Sequence, residues 1–60
     1  MDRKKEIKII LDDLLYKAKT VAEKTRFTSN LKECVKGCEE LLEVSKTIEG
    51  YLNELKSLPE

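Results

Sequence analysis

Cys34 and Cys38 are the two thiols of this 60-residue chain, and they stand four residues apart within Lys32–Glu40. Side chains at that spacing share one face of a helix, which leaves metal ligation, thiol redox chemistry and plain packing open. A structural zinc site takes four Cys or His ligands, and this chain has two Cys and no His. Zinc would therefore need a second copy of the chain to complete the set. A disulfide between the two within one helix is geometrically poor, because adjacent turns hold both side chains along the axis at near-limiting separation. The seam around them lacks the basic residues that would lower a thiol pKa. Packing is the first expectation, since free cysteine behaves as a small hydrophobe and is among the most buried residue types.

The acids and bases offer no catalytic constellation. There is no histidine, no glycine-rich phosphate loop and no nucleophile elbow. Asp12 and Asp13 fall on the outer side of a first helix, and Glu39, Glu40 and Glu43 on the outer side of a second. A di-iron bundle would need inward glutamates with histidines three residues on, and these are missing. Solvated helix faces account for such acids. The basic cluster Arg3, Lys4, Lys5 and Lys8 could touch phosphates, but acidic neighbours dilute it and no recognition motif follows. The expectation is no enzyme, no cofactor, no metal and no nucleic-acid partner.

Composition sets the frame for these residues. Forty per cent of the chain is apolar and forty per cent charged, with one Pro and two Gly, which is a helical balance rather than a disordered one. A chain this short buries only about 60% of its unfolded surface, so it needs a staple or a partner. Twelve basic residues balance twelve acidic ones. Their placement is uneven: residues 1–28 carry eight Lys/Arg against five Asp/Glu, and residues 29–60 carry four against seven. Two helices of opposite charge attract, which favours a hairpin. The apolar run Ile9–Leu11 is too short for a signal peptide or a membrane span, so the expected location is the cytoplasm, where two cysteines stay reduced.

Periodicity gives the elements. Ile7, Leu11, Leu14, Ala18, Val21 and Thr25 follow a heptad seam, widened by Ile10, Leu15 and Ala22. Asp2 is placed to cap this helix, and Asp13 with Lys17 to pair one turn apart. The segment Lys24–Asn30 breaks the pattern with Thr, Ser and Asn, and Asn30 with Glu33 has capping-box spacing. A second seam is clearer: Leu31, Cys34, Cys38, Leu41, Ser45, Ile48, Leu52 and Leu55, none of them charged. Val35 and Leu42 flank it on one side and Val44, Tyr51 and Leu58 on the other, and Pro59 stops it. Gly37 and Gly50 each cost about 1 kcal/mol in a helix interior, which suggests close approach by another backbone or a bend. The pattern predicts helices over about 3–25 and 31–58 with a turn over about 26–30.

Two resemblances accompany these residues. Ile7-Lys8, Thr28-Ser29-Asn30, Leu42-Glu43-Val44-Ser45 and Pro59 resemble, across nearly the whole chain, a family of short helical proteins of unknown function from spore-forming Firmicutes. That resemblance implies a sporulation-linked protein. Residues 41–55 resemble the second helix of the small two-helix sporulation phosphatases that act on response-regulator aspartates. Their Ser-Gln-x-x-Asp motif stands here as Ser45-Lys46-Thr47-Ile48-Glu49, and implies Glu49 as the acting residue.

The expected fold is all-α: a two-helix antiparallel hairpin that dimerises into a four-helix bundle. The stripes are too wide for one neighbour, so the self-association core is assigned to Leu11, Leu14, Val21, Cys34, Cys38, Leu41, Ile48, Leu52 and Leu55. Ile9 and Tyr16, seven apart on the outer face, and Phe27 are candidates for binding an unidentified protein partner. The expected function is a non-enzymatic interaction or regulatory module. The competing functions are the aspartyl-phosphate phosphatase and an RNA-binding four-helix bundle.

Overall fold

The computed structural model describes residues 2–59, and in it two helices account for all but the caps and the connection. α1 runs Arg3–Phe27 and α2 runs Leu31–Ser57. The Asp2 carboxylate accepts from the Lys4 amide at 3.0 Å and so caps α1. Glu6 in the first turn and Lys24 and Arg26 in the last turn suit the helix dipole. α1 continues through Arg26 and Phe27, so Phe27 lies in its last turn and not in the connection where the sequence pattern placed it.

The connection is three residues long and held by side chains. Asn30 Oδ1 accepts from the Lys32 and Glu33 amides at 2.9 and 3.2 Å. A reciprocal capping box would send the Glu33 carboxylate back to the Asn30 amide. Thr28 takes both halves of that exchange instead: its hydroxyl accepts from the Asn30 amide at 3.2 Å and donates to the Glu33 carboxylate at 3.0 Å. At the far end the Leu58 amide donates to the Leu55 carbonyl at 3.3 Å and the Ser57 hydroxyl to the Glu54 carbonyl at 2.8 Å, just before Pro59.

Arg3 meets Glu54 at one end and Thr25 meets Gly37 near the other, so the helices are antiparallel. They pack side by side as a rod of 46 × 15 × 13 Å. The seam of α1 is the expected one, with Ile7 wholly buried and Leu11, Leu14, Ala18, Val21 and Thr25 half-buried. The eight-position seam expected on α2 splits in two. Cys34, Leu41, Ile48 and Leu55 are half-buried toward α1, whereas Leu31, Cys38, Ser45 and Leu52 are exposed. Gly37, Val44, Tyr51 and Leu58, from the other flank, complete the real contact with α1. Val44 is the most enclosed of them, at 6% exposure.

Two features limit this fold. Ile7 and Val44 are the whole of the buried core among the described residues, and of the two only Ile7 is fully enclosed. The radius of gyration is 14.1 Å, against about 10 Å for a compact chain of this length. No described helix is long and apolar enough to cross a membrane.

Candidate functional site

Successive residues of a helix advance by about 100°, so burial fixes where every other side chain stands. In two antiparallel helices, positions turned in the same sense from the seam emerge on the same side of the pair. One side is polar. A cleft near the turn is lined by Lys24 and Thr25 of α1, by Thr28 of the connection and by Glu33, Lys36 and Glu40 of α2. A shallower one lies alongside it between Lys17 and Glu40, Glu43 and Thr47. Arg3 and Glu54 close the far end of this side.

The Arg3–Glu54 contact is two-pronged: Nε donates to one carboxylate oxygen and Nη2 to the other at 2.9 Å. Those hydrogen bonds hold the Glu54 carboxyl below its ordinary range, and the carboxylate raises Arg3 further. The unfolded chain therefore protonates Glu54 first as pH falls. Stability from this pair is fully present above the ordinary carboxylate value of about 4.3, and is lost as pH drops through the lower folded-state value. Both side chains are more than a third exposed, so the effect is small. Urea melts between pH ~2 and ~6 should show a shallower acid limb for Glu54→Gln than for the parent chain; an identical limb would mean that the pair is not formed in solution. Of the other carboxylates, Asp12 pairs with Lys8 at 2.9 Å and Glu6 with Arg3 at 3.8 Å. The expected Asp13–Lys17 pair does not close; Lys8 and Asp12 form the one-turn bridge of α1 instead.

The opposite side of the hairpin is apolar. Leu15 and Ala22 emerge there from α1, and Leu31, Val35, Cys38 and Leu42 from α2. Leu31 is 81% exposed, and with Val35 and the stems of Lys32 and Lys36 it lines an open apolar depression. The apolar character fades toward the chain ends, where the same flank of α2 carries Ser45, Glu49, Leu52 and Lys56.

A third surface lies on the outer edge of α1, away from α2. Ile9, Tyr16 and Phe27 line up there with 60%, 70% and 78% exposure. Their positions differ by seven and eleven residues, and both steps return nearly to the same angle on a helix. Ile9 and Tyr16 border a shallow hollow with Asp12 and Asp13, and the Arg26 guanidinium sits 5.3 Å from the centre of the Phe27 ring. That stacking is a cation–π contact at an exposed site.

The structure thus divides the residues selected from sequence. Leu11, Leu14, Val21, Cys34, Leu41, Ile48 and Leu55 line the seam within the hairpin, while Cys38 and Leu52 look outward. Both cysteines are free, and they differ in setting, Cys34 half-buried and Cys38 exposed. Among the described residues no group of three or more His, Cys, Asp or Glu gathers to hold a metal ion. Ser45, Lys46 and Glu49 are all exposed. Leu15, Val35 and Leu42, read as mere flanks of the seams, carry much of the exposed apolar side; their only signal in sequence is the extra width of the stripe. Comparison of the chain with protein families, curated proteins and solved structures finds no match.

Proposed function

We propose that this chain is a non-enzymatic helical interaction module. In this reading it associates with itself as a four-helix-bundle dimer and offers the outer edge of α1 to a protein partner. The observation that supports it is surface. The hairpin exposes 5098 Å², and a compact protein of 6.9 kDa exposes about 4,000 Å². The excess of about 1,100 Å² exceeds the ~800 Å² that each partner buries in a standard interface. It includes an apolar side, beside a core of two buried residues among those described. The phosphatase reading would make Glu49 the acting group, and the RNA reading would rest on Arg3, Lys4, Lys5 and Lys8.

Native mass spectrometry of the reduced protein at micromolar concentration tests the assembly. A metal-free dimer is expected; a monomer would overturn self-association, and a dimer with bound zinc would make the thiolates ligands. Glu49→Ala separates module from enzyme. It should leave the dimer intact, and any hydrolysis of a phosphorylated response-regulator aspartate by the parent chain that the variant loses would defeat the non-enzymatic reading. Replacing Ile9, Tyr16 and Phe27 together with Ser should preserve both helicity and dimer mass, since that edge is separate from the apolar side. Loss of the dimer in this variant would merge the two surfaces into one.

A further inference from the structure

We infer that the second copy sits on the apolar side of the hairpin with its two-fold axis parallel to the helices. Both turns then lie at the same end, and α1 of each copy packs against α2 of the other. This rests on the dimer proposed above and specifies its face, direction and register.

Two arrangements bring the apolar side of one hairpin onto the same side of another through a two-fold axis. With the axis across the helices, each helix meets its own copy running the opposite way. Overlap along the full length then sets the apolar half of α2, Leu31 to Leu42, against the polar half that holds Ser45, Glu49 and Lys56. Sliding the copies to match the apolar halves leaves the other halves uncovered. The same arrangement sets the rim of α1, with Lys8, Asp12, Lys19 and Arg26 and a net positive charge, against itself. Like charges so placed repel.

With the axis along the helices neither helix meets its own copy. A two-fold rotation moves nothing along its own axis, so each residue keeps its height. Ala22 of the other copy stands level with the apolar half of α2, near Cys38, and Leu15 stands level with Ser45. The rim of α1 then meets the flank of α2 that carries Glu49 and Lys56 instead of a copy of itself. The register follows from the hairpin itself: Gly37 abuts Thr25, so Cys38 stands level with residues 22–24 of both copies of α1. The exposed and half-buried members of the split α2 seam also find one explanation. Cys34, Leu41, Ile48 and Leu55 face α1 of their own chain, Cys38 and its heptad mates face α1 of the other, and the mean of the two directions is the bundle axis.

Disulfide trapping with diamide reads this geometry; two thiols become one disulfide and diamide takes up both hydrogens. Cys34→Ser leaves Cys38 as the single thiol, and Cys34→Ser with Ala22→Cys adds the level position on α1. The double variant should give a covalent dimer at low micromolar concentration, and peptide mapping should show the thiol introduced at position 22 bonded to Cys38 across copies. The single variant should give at least tenfold less covalent dimer. A covalent dimer from the single variant would place Cys38 beside its own copy and overturn the arrangement while leaving the dimer standing. No covalent dimer from either variant, in a protein that remains dimeric by native mass spectrometry, would move the interface to another face. A monomer by native mass spectrometry would remove the dimer itself. Leu42→Lys supplies a second reading: it should raise the dimer dissociation constant at least a hundredfold with helicity retained, and an unchanged constant would exclude this side of the hairpin.

Discussion

Ile7→Ala is expected to leave the hairpin largely unfolded at 25 °C in dilute solution. Among the described residues Ile7 is the one side chain with no exposure at all, in a core whose only other buried member is Val44. Truncating a buried Ile to Ala costs about 2–5 kcal/mol through lost burial and the cavity left behind. A 60-residue domain holds only about 3–9 kcal/mol in total. Urea melts followed by circular dichroism at 222 nm would show the loss as a fall in midpoint with little change in slope. Leu15→Ala, on the exposed apolar side, should change the melt of the isolated hairpin by less than about 0.5 kcal/mol. Equal effects at the two sites would mean that Ile7 does not anchor the seam.

The second large effect is a difference of sign between the two glycines. Both lie inside α2, and alanine improves helix propensity by about 1 kcal/mol at either. A methyl group at Gly50 would meet nothing within 4 Å, so Gly50→Ala should raise stability by about 0.4–1 kcal/mol. At Gly37 the added carbon would lie 2.9 Å from both Cβ and Cγ2 of Thr25 and closer still to its hydroxyl oxygen. Neither helix can hold that contact without moving, and such overpacking costs about 1–3 kcal/mol. Gly37→Ala should therefore fall below Gly50→Ala by that amount in the same melts. Adding Thr25→Ala to Gly37→Ala should recover most of the gap, a coupling that a double-mutant cycle measures directly. If Gly37→Ala were as stabilising as Gly50→Ala, the helices would not approach closely there.

The glycines also show what the sequence carries and what it leaves out. Each Gly costs the same in a helix, yet Thr25 stands over Gly37 and nothing stands over Gly50. Local chemistry was legible: Asp2 and Asn30 are cap residues by type, and both cap. The presence of two helices was legible from the heptads. The direction of the α2 seam was not. A period near 3.5 reports only the average angle of an apolar stripe, and this stripe serves two directions about 100° apart. Its mean falls between them, on the line through Cys34 and Cys38, which is why those two residues are equivalent by spacing and unequal in exposure. The role of Thr28 was hidden for another reason. A hydroxyl that accepts from Asn30 and donates to Glu33 is a substitute for a capping box, and no spacing rule encodes the substitution.

The three-residue connection has a kinetic consequence. With Thr28, Asn30 and Glu33 bonded to one another, the two helices are tethered where Val21, Thr25, Cys34 and Gly37 first meet. Closing so short a loop costs little entropy, and each further pair up the rod is brought near by the one before it. Formation of the hairpin then runs as a zipper from the turn, and the Arg3–Glu54 clasp at the open end closes last. Weakening the turn would slow folding, whereas weakening the clasp would hasten unfolding and leave the folding rate untouched, with a φ-value near zero at Arg3 in stopped-flow kinetics.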